Sequence, residues 1–236
     1  IYCDNRKVYG CIKITRILRD NGYQKLSVNR VSRLMKQLGI RSVTIRKFKN
    51  FRNKQNEHSK LKNLVNQNFS AQKPNQIWLS DITYIHTVKN GWTYLASVLD
   101  VCTRKIVGYS YGRKMDRSLV ISALTKAWQN QNYPNNVILH SDRGSQYTSS
   151  EYIAAAERMG FRLSYSKKGC PFDNAPMESF HSILKKEEVY LKHYSSFLDA
   201  NIRLFDYING FYNRNRIHSA INFLSPIQFE NSLFYS

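Results

Sequence analysis

Acidic residues are scarce in this 236-residue chain, where 16 Asp and Glu stand against 36 Lys and Arg and leave a net charge of +20 and a pI near 9.9. So large an excess points to a polyanionic partner, because each Lys or Arg that meets a phosphate releases condensed counterions. Cysteine is scarce too, and Cys3, Cys11, Cys102 and Cys170 lie far apart with no CxxC pair among them. That spacing argues against a disulfide framework or a zinc knuckle and fits a reducing cytoplasm. Nothing resembles a membrane-spanning segment, a signal peptide or a lipidation motif, so nucleic acid is a better reading of the polyanion than an anionic membrane. The chain starts at Ile1 rather than Met, which reads as a fragment of a longer product. A hydrophobic fraction of 42% over this length suffices for one medium domain plus a small one.

The charge is uneven. Residues 1–75 hold 18 basic and 3 acidic residues, a balance of +15. Within them Ile14, Ile17 and Leu18 recur at helical spacing until Asn21-Gly22 breaks the pattern. A second helix follows, with Ser27 as N-cap, an apolar face of Val28, Val31, Leu34, Met35 and Leu38, and Gly39 at its end. Arg30, Arg33 and Lys36 project from its other faces. Two short helices around a tight turn, the second one basic, resemble a helix-turn-helix, and a DNA-binding region is expected over 1–45. A basic linker is expected over 46–75, where Arg46, Lys47, Lys49, Arg52 and Lys54 alternate with Phe48 and Phe51. That stretch reads equally as a tracker of a DNA backbone or as a solvated connector.

From Ile77 the texture changes to three strand-like runs joined by short turns: IWLSDITYIHTV, WTYLASVLDV and KIVGYSYG. A helix over about 117–131, a strand VILH ending on Ser141-Asp142, a helix over about 149–159 and a fifth strand FRLSYS follow. With one more helix, this is the element order of an α/β ribonuclease-H-like core, a five-stranded mixed sheet with flanking helices, expected over 76–195. Asp81 interrupts the first strand, which otherwise reads as buried. Burying a carboxylate costs several kcal/mol unless it is paired, and a divalent cation shared with other carboxylates is a common partner. Asp142 and Glu178, with 35 residues between them, complete a candidate three-carboxylate metal site. Taken singly, Asp81 bonded to backbone, Asp142 capping the turn before Gly144 and Glu178 as a helix-end charge are the bland alternatives.

The helix carrying Glu178 is expected to be capped by Asp173 or Asn174, with Pro176 in its first turn. The helix dipole favours a carboxylate there, and Lys185, seven residues on, shares the face. His140 and His181 flank the acids and read as hydrogen-bonding partners or core rather than metal ligands. A helical extension over 196–236 places Arg214, Arg216 and His218 among Tyr207, Phe211 and Tyr212. They read equally as DNA contacts or as the amphipathic edge of a helix packed on the core.

WLSDITYI, LDVCTRKIVGY, HSDRGSQYTS, DNAPMESFHSILKKE and YNRNRIHSAINFLSPIQF closely resemble transposases of the bacterial insertion sequence 3 family, relatives of retroviral integrases. The match extends to the segment YGCIKITRILRDNGYQKLSVNRVSRLMKQLGI, which resembles the family's helix-turn-helix. The resemblance implies that Asp81, Asp142 and Glu178 form the catalytic triad and that Lys185 contacts the element's end. It also implies two Mg²⁺ or Mn²⁺ ions, about 3.5–4 Å apart as in other two-metal phosphoryl-transfer enzymes. The partner implied is double-stranded DNA, both terminal repeats and target, and holding two ends at once implies at least a dimer in the cytoplasm at the bacterial nucleoid. Ser80 and Cys102 depart from residues the family often carries, Thr and an aromatic, without touching the expected metal site. The zinc-binding module of retroviral integrases is absent. A nuclease without strand transfer and a DNA-binding repressor derived from a transposase are the competing readings.

Overall fold

The computed structural model describes residues 1–44, 61–167 and 170–234. Two ten-residue helices open the chain, α1 (Cys11–Asp20) and α2 (Val28–Gln37). Ser27 caps α2 by accepting from the Arg30 N–H, and Gly39 adopts φ +64° just past its end, a conformation that glycine takes without strain. Ser27→Ala is expected to cost about 1 kcal/mol, a fall of roughly 2–4 °C in Tm for a chain of this size, measurable by circular dichroism. On α2, Val31 and Met35 are buried, but Leu34 and Leu38 are 43% and 71% exposed. The short α1 covers only a narrow stripe of its neighbour, so the apolar face read from the sequence is wider than the buried one.

Five strands form one mixed sheet in the order β3-β2-β1-β4-β5. They are β1 (Ile77–Thr87), β2 (Gly91–Asp100), β3 (Ile106–Gly112), β4 (Ile138–Ser141) and β5 (Arg162–Tyr165). The first three pair antiparallel through tight turns, whereas β4 and β5 run parallel to β1, as strands reached through the crossover helices α3 (Arg117–Asn130) and α4 (Ser150–Arg158) must. One sheet face packs Trp78, Ala96 and Val98 against α3 and α4. At Gly108 a Cβ would stand 2.4 Å from the Ala127 backbone nitrogen, which is why β3 carries no side chain where α3 crosses it.

The other face packs Leu79, Leu95 and Leu99 against Met177, Phe180 and Leu184 of α5 (Ala175–Glu187). The same apolar cluster takes in Val8, Tyr9, Ile14, Val31 and Met35, so the helix-turn-helix region is seated on the core. Beyond α5, α6 (Phe197–Phe205) widens into a seven-residue π-helix, Asp206–Tyr212, and α7 (Pro226–Phe234) closes the described chain. The wide turns bury Tyr207, Ile208, Phe211 and Tyr212 together.

Two sequence expectations need correction. Residues 61–67 do not hang free as a linker, because Lys62 O accepts from Tyr165 N at 2.9 Å, Leu64 N donates to Ser164 Oγ at 2.9 Å and Val65 is buried. Asp173 does not cap α5. It lies in a 3-10 turn and accepts from Asn63 Nδ2, Gln67 Nε2 and Lys167 N, fastening this segment to the core, while Asn174 stands at the helix start with no side-chain cap. Among the described residues no helix is long and apolar enough to cross a membrane.

Candidate active site

Strand register brings two of the acids together. The parallel ladder between β1 and β4 ends with Ser80 opposite Ser141, so the next residues, Asp81 within β1 and Asp142 just past the end of β4, lie side by side. Neighbouring strands are about 4.8 Å apart, close enough for the two carboxylates to repel. The bland roles considered for each are realised by one oxygen only. Asp81 Oδ1 accepts from Ile82 N at 2.8 Å and Asp142 Oδ1 accepts from Gly144 N at 2.9 Å.

Loss of water around the Asp142 carboxyl raises its pKa, the Gly144 N–H opposes that shift, and the charge of Asp81 adds to it. The residue itself is exposed, so the effect on stability is modest. Its sign is definite. A raised folded pKa means that the ionised group opposes folding above that pKa, and the penalty vanishes once both folded and unfolded chains are protonated. Asp142→Asn is therefore expected to raise Tm in EDTA at pH 7–8, with the gain fading as pH falls through the raised pKa toward 3.8, as differential scanning calorimetry would register.

Helix α5 supplies the rest. Its Met177, Phe180 and Leu184 stripe faces the sheet, which sets Glu178, His181 and Lys185 along one flank. His181 is buried and its Nδ1 lies 3.4 Å from Asp81 Oδ2. Glu178, one turn earlier on that flank, is exposed and near the positive end of the helix dipole. His140 is fully buried, with Nδ1 2.8 Å from Ser164 Oγ, and burial pushes its pKa down to about 4 against the pull of Asp173, so it stays neutral. Lys185 lines a groove of about 470 Å³ with Tyr84, Trp92 and Tyr190.

The other basic candidates scatter. Arg30, Arg33 and Lys36 are exposed on α2, and Arg214 is exposed after the π-helix. Arg46 and Lys47 lie outside the described residues. Arg216 is placed otherwise than as a DNA contact: it is 6% exposed, and its Nε and NH2 donate to the two carboxylate oxygens of Glu187 at 2.8 and 2.7 Å. Alternating polar and aromatic residues left this residue's direction undecided in the sequence, and packing decides for the core.

Family models match most of the chain. An HTH-like domain family matches residues 1–48, and integrase core domain families match 71–171 and 178–234. The transposase for insertion sequence element IS904 of Lactococcus lactis is 38% identical over 98% of this chain and 90% of its own length. Transposase InsF for insertion sequence IS3A of Escherichia coli is 40% identical over 96% of this chain and 78% of its own. The chain belongs to the insertion sequence 3 family of transposases. This transposase has an integrase core of the ribonuclease-H-like fold. A simian T-cell lymphotropic virus intasome chain overlays it with a TM-score of 0.54, covering 94% of this chain and 70% of that one at 14% identity. The HTLV-2 integrase catalytic core domain, solved in complex with magnesium, does so with a TM-score of 0.52, covering 68% and 99% at 17% identity.

Among the described residues no three His, Cys, Asp or Glu side chains of the transposase converge into a ready-made metal-binding group. The charge of Asp81 bears on Asp142, and His181 Nδ1 stands 3.4 Å from Asp81 Oδ2. Asp81 and Asp142 bring hard carboxylate oxygens together beside the end of β4, and donors of that kind suit Mg²⁺ or Mn²⁺.

Proposed function

We propose that this transposase binds the ends of its insertion sequence and cuts and joins DNA at a site made by Asp81, Asp142 and Glu178, which hold two Mg²⁺ or Mn²⁺ ions. The observation that carries this reading is the register that sets Asp81 beside Asp142, at a cost to the folded chain that a cation would relieve. Bound there, the cations supply activation of the attacking oxygen and stabilisation of the leaving 3′ oxygen. The chain's own groups orient. His181 holds one Asp81 oxygen, the Gly144 N–H holds one Asp142 oxygen, and α5 presents Glu178 from the same flank. The attacking group is water in cleavage and a freed 3′-OH in strand transfer, so no side chain becomes covalently attached to DNA. Lys185 then meets the phosphates flanking the cut, and Arg30, Arg33 and Lys36 on α2 enter the groove of the terminal repeat. Two ends engaged together require at least a dimer, working in the bacterial cytoplasm at the nucleoid.

Labelled DNA carrying the element's own ends, incubated with the protein and Mg²⁺, is expected to give cleaved and joined products that EDTA abolishes. Cleavage without joining would favour a nuclease. Binding of the ends with neither reaction would favour a repressor, and indifference to the end sequence would remove the transposase-specific assignment.

A further inference from the structure

The opposite flank of α5 borders a pocket of about 400 Å³. Lys13 reaches it from α1, Arg104 from the turn between β2 and β3, Ser179 from α5, and Arg216 and His218 from the C-terminal segment. The first turn of α5, through Ala175 and Pro176, forms part of the rim, so the helix dipole adds positive potential there. No lining residue is acidic.

The two nearest carboxylates are already engaged. Glu187 is closed on Arg216, and Asp100 accepts from Thr103 N, Thr103 Oγ1 and Asn75 N. Lys13 and Arg104 are half-buried, and among the described residues neither has a carboxylate within ion-pair distance. The Lys13 ammonium rests instead over the Tyr9 ring, 4.5 Å from its centroid. Burial first, and Arg216 next, push the Lys13 pKa down to about 7, against a smaller pull from Glu187. Cations gathered around a cavity without counter-charge are costly unless an anion completes them.

We propose that this pocket, walled by Lys13, Arg104 and the start of α5, binds a phosphate group. A DNA backbone phosphate is one source, since α5 is only about 10 Å wide and a duplex at Glu178 passes over both of its flanks. Free phosphate is the other. The first source rests on the DNA reading above, whereas the site itself does not. Occupancy would tie α1 to the catalytic helix through one anion.

The test uses the full chain in EDTA, so that binding is read apart from catalysis. Affinity for labelled end DNA is followed against salt concentration for wild type, Lys13→Gln, Arg104→Gln and Arg104→Lys. Losing one phosphate contact lowers the log–log salt slope by about one and weakens binding alike on all sequences. In parallel, Tm is compared in inorganic phosphate and in chloride at matched ionic strength, the chloride values reporting whether each variant folds. A slope reduced in both Gln variants and restored by Arg104→Lys supports a backbone phosphate. An unchanged slope with loss of the phosphate-dependent Tm gain supports the free anion. If folded Lys13→Gln or Arg104→Gln changes neither quantity, the proposal is overturned.

Discussion

Glu178→Gln is expected to lower end cleavage and joining by about a thousandfold or more while leaving end binding in EDTA at the wild-type level. Gln keeps the volume and removes the charge that a cation needs. A metal-stabilised phosphoryl transfer that loses roughly 4 kcal/mol of transition-state stabilisation slows by about that factor. Stability is expected to move little, because an exposed carboxylate at a helix N-terminus contributes only about 0.3–1 kcal/mol. Activity and Tm therefore separate. A merely structural Glu178 would show the reverse, a measurable loss of Tm with cutting and joining intact, and that result would end the catalytic assignment.

The sheet and its helices were legible because each strand alternates or runs apolar for a length that matches its pairing, and because Gly and Asn mark the turns. Asp81 was legible as an anomaly, a carboxylate in a strand otherwise fit for burial. Its adjacency to Asp142 was not, since it depends on a parallel register between strands separated by β2, β3 and α3, and no local pattern encodes that register. The Ser27 cap was visible because it is a three-residue affair, whereas the work of Asp173 depends on Asn63 and Gln67, more than a hundred residues away. The helix read through the last segment is present, but its π-form was hidden, because a helical period of 3.6 and one slightly larger both place Tyr207, Ile208, Phe211 and Tyr212 inward. Basic residues were the least legible. Arg214 and Arg216 look alike in sequence, yet one faces solvent and the other is enclosed with Glu187.

That enclosure has a large expected effect. Arg216→Met alone leaves Glu187 buried without its partner, and breaking a buried pair from one side costs about 3–5 kcal/mol. At roughly 2–4 °C per kcal/mol for a chain of this size, Tm should fall by about 10 °C. Glu187→Met should cost a similar amount, because it strands the guanidinium and also the Tyr207 hydroxyl, which donates to Glu187 Oε2 at 2.9 Å. Combining Glu187→Met with Arg216→Met removes both charges and should recover much of the loss, and adding Tyr207→Phe should recover more by removing the stranded donor. This non-additivity, read by thermal unfolding, separates a core ion pair from a surface arginine. A fall of no more than about 2 °C for Arg216→Met, the range of a surface substitution, would return Arg216 to the candidates for DNA contact.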